Sequence, residues 1–392
     1  MAKLKEVLLK IYREHKWIYV FVLFASFMYS MNFKNGSIQI LDDFFEFARV
    51  GSFIIITIWF ILAKKKPSKL VIILLIMQLW QLFVTCITNR KIVVSIYDLS
   101  ASLAIALLIE LFLDEPKELL KGMLLHYELA IYPNLITMLI NINTDSDSFY
   151  LGDHNVVNQF FIPAIAVAFI YMYLTNNKKR CIPLILVSLL SCILCRSTTT
   201  LFGIIISIVI FCFGYFLKKD KNVSTLIIFL FAVAINVFLM FFYSEETFPE
   251  IRLFLIRYFG KSMPFSGREE IWPIALQMIK EQPLIGYGYR TTVKVNNSFT
   301  AGHAHNMFLD KALVGGIPEL LMFLWLQVEL FIKVERQKPN ICKLVLVSLM
   351  GFIFMTYIMD SYMKFWRFYV VIFLLYHLEE ILKDKGVVKN EK

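Results

Sequence analysis

The chain has 392 residues, 58% hydrophobic and 18% charged, with 37 Phe and a formal net charge of +10; its mean hydropathy is +0.66. A soluble domain carries about 25% charged residues and has no interior able to hide this much apolar surface, so a soluble enzyme is excluded. The basic balance does not indicate nucleic acid, because the lysines sit in short clusters between apolar runs, where they report membrane orientation.

Apolar runs of about 20 residues recur from end to end, the pattern of bilayer-spanning helices. The fold class expected is all-α: a polytopic membrane protein with about 12 transmembrane helices, near residues 17–31, 46–63, 70–88, 92–113, 119–140, 159–174, 181–195, 199–217, 223–243, 306–332, 341–360 and 366–382. Lys3, Lys5, Lys10, Arg13 and Lys16 precede the first run, and no small-residue cleavage site follows it, so the first helix is expected to be retained. Cys86, Cys181, Cys192, Cys195, Cys212 and Cys342 lie within or beside apolar runs and read as small apolar residues. The KKKPSK, NNKKR and KKDKN segments share one side if every run spans, which places both termini in the cytoplasm.

The chain then divides into helices 1–9 at residues 1–243, an external loop at 244–305, and helices 10–12 with a cytoplasmic tail at 306–392. The loop carries Arg252, Arg257, Lys261, Arg268, Lys280, Arg290 and Lys294 on the translocated side, against the usual charge bias. Recognition of an anionic lipid head group accounts for them; a merely solvated loop is the plainer account. Ser266 and Glu269 form an S-x-x-E capping box, and Pro273 fits only a first helical turn, so a helix is expected to begin near Trp272. Ile271, Ile274, Ala275 and Met278 recur at helical spacing until Gln282-Pro283, which predicts an amphipathic helix lying on the outer membrane surface. Gly286-Tyr287-Gly288 then predicts a tight turn that brings backbone near substrate.

The run GREEIWPIALQMIKEQPLIGYGY from Gly267 to Tyr289, followed by AHNMFLDKALVGGIPELL from Ala304, resembles the O-antigen ligase/polymerase superfamily. These are membrane glycosyltransferases acting on polyprenyl-pyrophosphate-linked sugars outside the cytoplasmic membrane. The resemblance rests on G-R-x-x-x-W, then P-L-x-G-x-G, then H-N at the mouth of a helix with glycines beyond. Weaker matches are LGDHN, ending at Asn155, and STTTLFG from Ser197.

Transfer from a lipid pyrophosphate needs cations for the departing pyrophosphate and a base for the acceptor hydroxyl; the activated leaving group removes the need for nucleotide, ATP or any cofactor. Arg268 is the candidate for the pyrophosphate, since a guanidinium keeps its charge and grips phosphate oxygens bidentately. His305 is the candidate base, through the H-N match, with His303 a rival two residues earlier. Asn306 could orient the imidazole or a sugar hydroxyl. Trp272, Gly286, Gly288 and Asn155 join the substrate-binding set, although a tryptophan here also fits an interfacial aromatic belt. Arg290 is either a second phosphate contact or a solvated charge. Arg196 precedes Ser197 where relatives carry an arginine after the serine, so its role is open between phosphate binding and snorkelling to the interface. Arg49, near another external helix end, matches no motif.

Asp145-Ser146-Asp147 spells the D-x-D of nucleotide-sugar enzymes, but on an external loop it reads as solvated. No His, Cys or carboxylate spacing suggests a metal site, so a metal-independent reaction is expected. His126 and Glu128 are expected to pair within the bundle.

The resemblance implies a polysaccharide polymerase acting in capsule, exopolysaccharide or O-antigen synthesis in the bacterial cytoplasmic membrane. Its expected partners are an undecaprenyl-pyrophosphate-linked oligosaccharide, membrane lipid, and a flippase and chain-length regulator of the assembly machinery, with no nucleic acid. An O-antigen ligase, using a lipid A core acceptor, shares the same motifs. A flippase or other transporter would explain the spans and the basic loop but has no need of a histidine paired with G-R-x-x-x-W, and no matching halves are visible. A non-catalytic assembly partner is the remaining alternative.

Overall fold

The structure, a computed structural model, describes residues 15–29, 39–88, 92–142, 148–154, 156–195, 197–217, 223–241, 268–297, 299–359 and 365–383. Its helices are α1 (Lys16–Ala25), α2 (Gln39–Leu62), α3 (Lys69–Ile87), α4 (Ile92–Leu111), α5 (Pro116–Ile140), α6 (Asn158–Thr175), α7 (Lys178–Leu194), α8 (Thr198–Cys212), α9 (Thr225–Phe241), α10 (Arg268–Glu281), α11 (Met307–Glu335), α12 (Ile341–Met359), α13 (Tyr369–Tyr376) and α14 (Leu378–Leu382). Two short hairpins interrupt them: β1 (Ser148–Phe149) with β2 (Gly152–Asp153), and β3 (Val293–Lys294) with β4 (Thr300–Ala301).

Helix lies in every segment where hydropathy predicts a span. Among the described residues, six helices are long and apolar enough to cross a bilayer: Asp43–Leu62, Lys69–Ile87, Pro116–Ile140, Asn158–Thr175, Thr199–Leu217 and Ile341–Met359. Lys16–Ala25, Thr225–Met240 and Trp366–Tyr376 are apolar but shorter. Local chemistry sets the ends. Ser68 caps α3 by accepting from Val71 N, Pro116 occupies the first turn of α5, and Asn176 closes α6 in a left-handed conformation.

α12 and α6 are the most enclosed spans, with α12 packed on α8 and α9 and α6 on α5 and α7. α3 packs on α11 and α4, which ties the first half of the chain to the second. One end of the bundle is tied by ion pairs and a histidine–carboxylate contact. Lys333 holds Glu380 at 2.9 Å, His377 meets Glu110 at 3.0 Å, and Lys16–Glu115 and Lys65–Asp114 pair nearby in sequence to the same helix ends. Glu128 does pair within the bundle, bidentately with Arg180 at 2.7 Å, while His126 packs edge-on against Phe24.

Two expectations for the loop region are corrected. α10 begins at Arg268, four residues before Trp272, and Pro273 lies inside it. The extra turn is held because Ile271 and Trp272 are buried and Arg268 is anchored at its head. The apolar face of α10 is not laid on a membrane surface: Ile271, Trp272, Ala275 and Ile279 form a small core with Leu309, Ala312 and Leu313 of α11. Ser266, the expected cap, lies outside the described residues, as do Asp145 and Asp147.

Hydropathy predicts α11 as one continuous span, yet it breaks at Gly315 and Gly316, where Gly316 has φ 70 and ψ −174. Four backbone groups at the break find partners outside α11. Ile317 N donates to Pro283 O (2.7 Å) in place of Leu313 O, which instead accepts from Tyr287 N (2.7 Å). Pro318 has no N–H to offer Val314 O, and Gly288 N supplies one at 2.9 Å. Trp80 Nε1 donates to Gly315 O at 2.7 Å. Non-helical backbone buried inside a bundle is stable only when its polar groups are satisfied in this way.

Candidate active site

The two parts of the strongest sequence pattern meet where α9, α10, α11 and α12 converge. Arg268 is buried at the head of α10, and its Nη2 donates to Met359 O at the end of α12. A guanidinium here meets the partial negative charge of a helix C-terminus. One turn on, Trp272 Nε1 donates to Ala304 O at 3.0 Å, fastening α10 to the segment between the two histidines. Trp272 is therefore buried inside the protein and is no belt aromatic.

Asn306 is buried and caps α11: its Oδ1 accepts from Phe308 N (3.1 Å) and Leu309 N (3.2 Å). Its Nδ2 donates to Asn236 Oδ1 of α9 at 2.5 Å and to Ile358 O of α12 at 3.4 Å. With the side-chain amide spent on these contacts, Asn306 positions the helix mouth and does not orient an imidazole or a sugar hydroxyl.

His305 stands just before that cap, half-buried, with φ 50, an uncommon conformation for a residue with a Cβ. Its ring lies 3.9 Å from the ring of His303, centroid to centroid, and its N–H donates to His303 Nδ1 at 3.2 Å. Asp310, in the first turn of α11, accepts from Ala304 N at 2.8 Å, and its other oxygen lies 4.0 Å from His303 Nδ1. The backbone around both histidines is thus pinned from three sides, by Trp272, Asp310 and Asn306.

Gly286 and Gly288 bring their own backbone close to the backbone of α11. A Cβ on Gly286 would fall 2.6 Å from Gly316 N and from Leu313 O, and one on Gly316 would fall 2.5 Å from Leu284 O. With φ 71, 84 and 70 at Gly286, Gly288 and Gly316, these glycines form the joint between the loop and the broken helix. Tyr287 between them donates from its hydroxyl to Met278 O at 3.0 Å; burial and then the charge of Glu281 push its phenol above the usual range.

Beyond the joint a partly open cleft of about 100 Å³ lies between α3, α4, α11 and the start of α13. Gln78, Gln81, Arg290, His303, Asp310, Lys311, Trp366 and Tyr369 are among its lining residues. Tyr289 N donates to Thr85 Oγ1 at 3.2 Å, so the cleft lies at the Thr85 end of α3, whereas the Lys69 end of that helix pairs with Glu329 at 2.5 Å. His303 faces the cleft, and His305 stands against His303. Lys311 Nζ reaches across the helix break to Glu319 at 2.8 Å.

Arg196 and Asn155 lie outside the described residues. Close to the weaker sequence matches, Asn158, three residues after LGDHN, donates from Nδ2 to Thr200 Oγ1 of STTTLFG at 3.0 Å, joining the start of α6 to the start of α8. Arg49 is buried with its Nη2 donating to the Tyr29 hydroxyl at 2.5 Å and its guanidinium 5.8 Å from the Trp366 ring. Sequence reading passed over Arg367, which is fully buried, 4.1 Å from the Phe160 ring and 5.0 Å from that of Trp366. The signal was present: an arginine in the apolar head of a span, K-F-W-R-F, is conspicuous by its cost. Lys311 gave a similar signal four residues into α11. Among the described residues no group of three or more His, Cys, Asp or Glu is placed to hold a metal.

Residues 183–324 match the family model described as O-antigen ligase. That stretch runs from α7 into α11 and includes Arg268, Trp272, His303, His305 and Asn306. No curated protein matches the chain.

Proposed function

We propose that the chain, whose residues 183–324 match the O-antigen ligase family, is a membrane enzyme of the O-antigen ligase/polymerase superfamily that polymerises undecaprenyl-pyrophosphate-linked oligosaccharide repeat units into a capsular, exo- or O-antigen polysaccharide. The observation that carries this reading is the fastening of α10 to the histidine segment through Trp272 and Ala304, which puts a permanent cation and a base candidate on one frame.

In this scheme the growing glycan leaves one undecaprenyl pyrophosphate for the non-reducing end of a newly arrived lipid-linked unit. His305 takes the proton of the acceptor hydroxyl as the new glycosidic bond forms. The bond from the anomeric carbon to the pyrophosphate oxygen breaks, and the pyrophosphate departs with its electron pair toward Arg268, aided by Arg196 or Arg290. Five guanidinium N–H groups allow Arg268 to serve a helix carbonyl and a phosphate together. In-line displacement inverts the anomeric centre; a product linkage with the donor's configuration would refute it. The site faces outward, both termini are cytoplasmic, and a flippase and a chain-length regulator supply and limit the reaction.

A ligase that passes the glycan to lipid A core is the second reading, favoured by the description of the matching family itself. The test is a deletion strain complemented with wild type, His305→Ala or Arg268→Ala, each verified in the membrane. Single lipid-linked repeats without a polysaccharide ladder in both variants support the polymerase. A normal ladder removes it, and intact free polymer that fails to join lipid A core selects the ligase. A transporter would keep moving lipid-linked repeats with His305→Ala.

A further inference from the structure

The cleft beside the histidines has a composition that the donor pyrophosphate does not account for. Trp366 and Tyr369 offer aromatic surface for the C–H face of a sugar ring, and Gln78 and Gln81 offer amides for hydroxyl groups. Two cations join them from different elements. Arg290 is held with φ 58, a conformation strained for any residue with a Cβ, and its buried Nε makes no hydrogen bond among the described residues. Lys311 lines the cleft, its ammonium 2.8 Å from the fully buried Glu319 and 3.5 Å from Gln81 Oε1. The one carboxylate of the lining, Asp310, already accepts from Ala304 N.

We infer that this cleft seats the acceptor glycan and that the glycan carries an anionic group, a carboxylate or a phosphate, held by Arg290 and Lys311. The inference rests on the polymerase reading and refines it: an acceptor lying here brings its hydroxyl to His303 and His305 from the cleft, while the donor pyrophosphate lies toward Arg268. Arg290 thereby reads the acceptor, and Arg196 is left as the second phosphate contact.

The test is direct binding to the full chain in lipid nanodiscs, with cellobiose, cellobiouronic acid and glucose 6-phosphate as probes and inorganic pyrophosphate as competitor. Wild type should bind one or both anionic sugars at least about fivefold more tightly than cellobiose, the worth of a charge-assisted contact. The uronate and phosphate arms tell which anion is read. Arg290→Gln should abolish the preference, and so should Arg290→Gly, which relieves the backbone strain and so should remain folded. Equal binding of all three sugars, or a preference unchanged in both variants, overturns the inference. So does displacement of cellobiouronic acid by pyrophosphate with an affinity that itself falls in Arg290→Gln, since the cleft would then be the donor's. Loss of the preference beside a normal ladder removes the inference alone; a preserved preference in a strain whose wild-type protein makes no ladder removes the polymerase reading and leaves an anionic-sugar site.

Discussion

Arg268 and Asn306 donate to consecutive carbonyls of one helix end, the guanidinium to Met359 and the side-chain amide to Ile358. The last carbonyls of a helix have no partner within it. Here the end of α12 is closed by two residues from separate parts of the same sequence pattern, so α10 and α11 are set relative to each other through a third element.

Removing Asn306 should therefore loosen the whole junction. Asn306→Ala loses a cap worth about 1–2 kcal/mol and leaves Asn236 and Ile358 short of a buried donor, a further penalty of about 1–3 kcal/mol. Asn306→Ser retains a good capping oxygen but does not reach Asn236, and should recover roughly the cap's share. Thermal unfolding in detergent reads this order; serine no better than alanine would refute the capping role.

Gly316→Ala and Gly286→Ala each force a Cβ into backbone at a positive φ. Strain of about 1–2 kcal/mol from the dihedral alone, added to the overlap, should leave little folded protein in the membrane. Gly51 on α2 has nothing within 4 Å of a built Cβ, so Gly51→Ala should be neutral or stabilise by up to about 1 kcal/mol. Membrane accumulation and melting temperature of the three variants provide the comparison; a folded, wild-type-like Gly316→Ala would mean the joint is not as tight as described.

His303 and His305 should separate by function. Loss of the base in His305→Ala is expected to reduce polymer formation by about 10²–10⁴-fold. His303→Ala removes the acceptor of the His305 N–H and should impair turnover less, while His303→Asn restores an acceptor and should regain part of it. Initial rates in membrane vesicles supplied with lipid-linked repeats measure this, and a His303→Ala defect equal to that of His305→Ala would move the base assignment to His303.

Lys311 and Glu319 should behave as a buried pair. Glu319→Gln alone leaves the ammonium of Lys311 without its counter-charge, and breaking such pairs costs about 3–5 kcal/mol. The double variant Lys311→Met/Glu319→Gln should be less destabilised than Glu319→Gln. Strict additivity in that double-mutant cycle would show that the two are not coupled.

The positions of the apolar helices were legible because a bilayer demands long apolar runs and the sequence supplies them. The break in α11 was not: Gly315-Gly316-Ile317-Pro318 sits within an apolar stretch, and hydropathy is blind to φ. For the site, the residue types of Arg268, His305 and Asn306 were legible, but their partners were largely backbone carbonyls and amides of α11 and α12, which have no side-chain signature. The amphipathic face of α10 could be read, though not what covers it, because α11 and a membrane surface ask for the same apolar pattern. Arg367 and Lys311 were legible as costly charges and were overlooked for want of a motif.

The contact between residues 283–288 and 313–317 is made almost wholly of peptide groups. It is thus indifferent to which side chains stand at the exposed Leu284 and Ile285, and sensitive to how many residues separate the glycines. A single inserted residue on either strand of the contact would shift every donor off its acceptor, so this region should tolerate divergence in sequence while conserving its length.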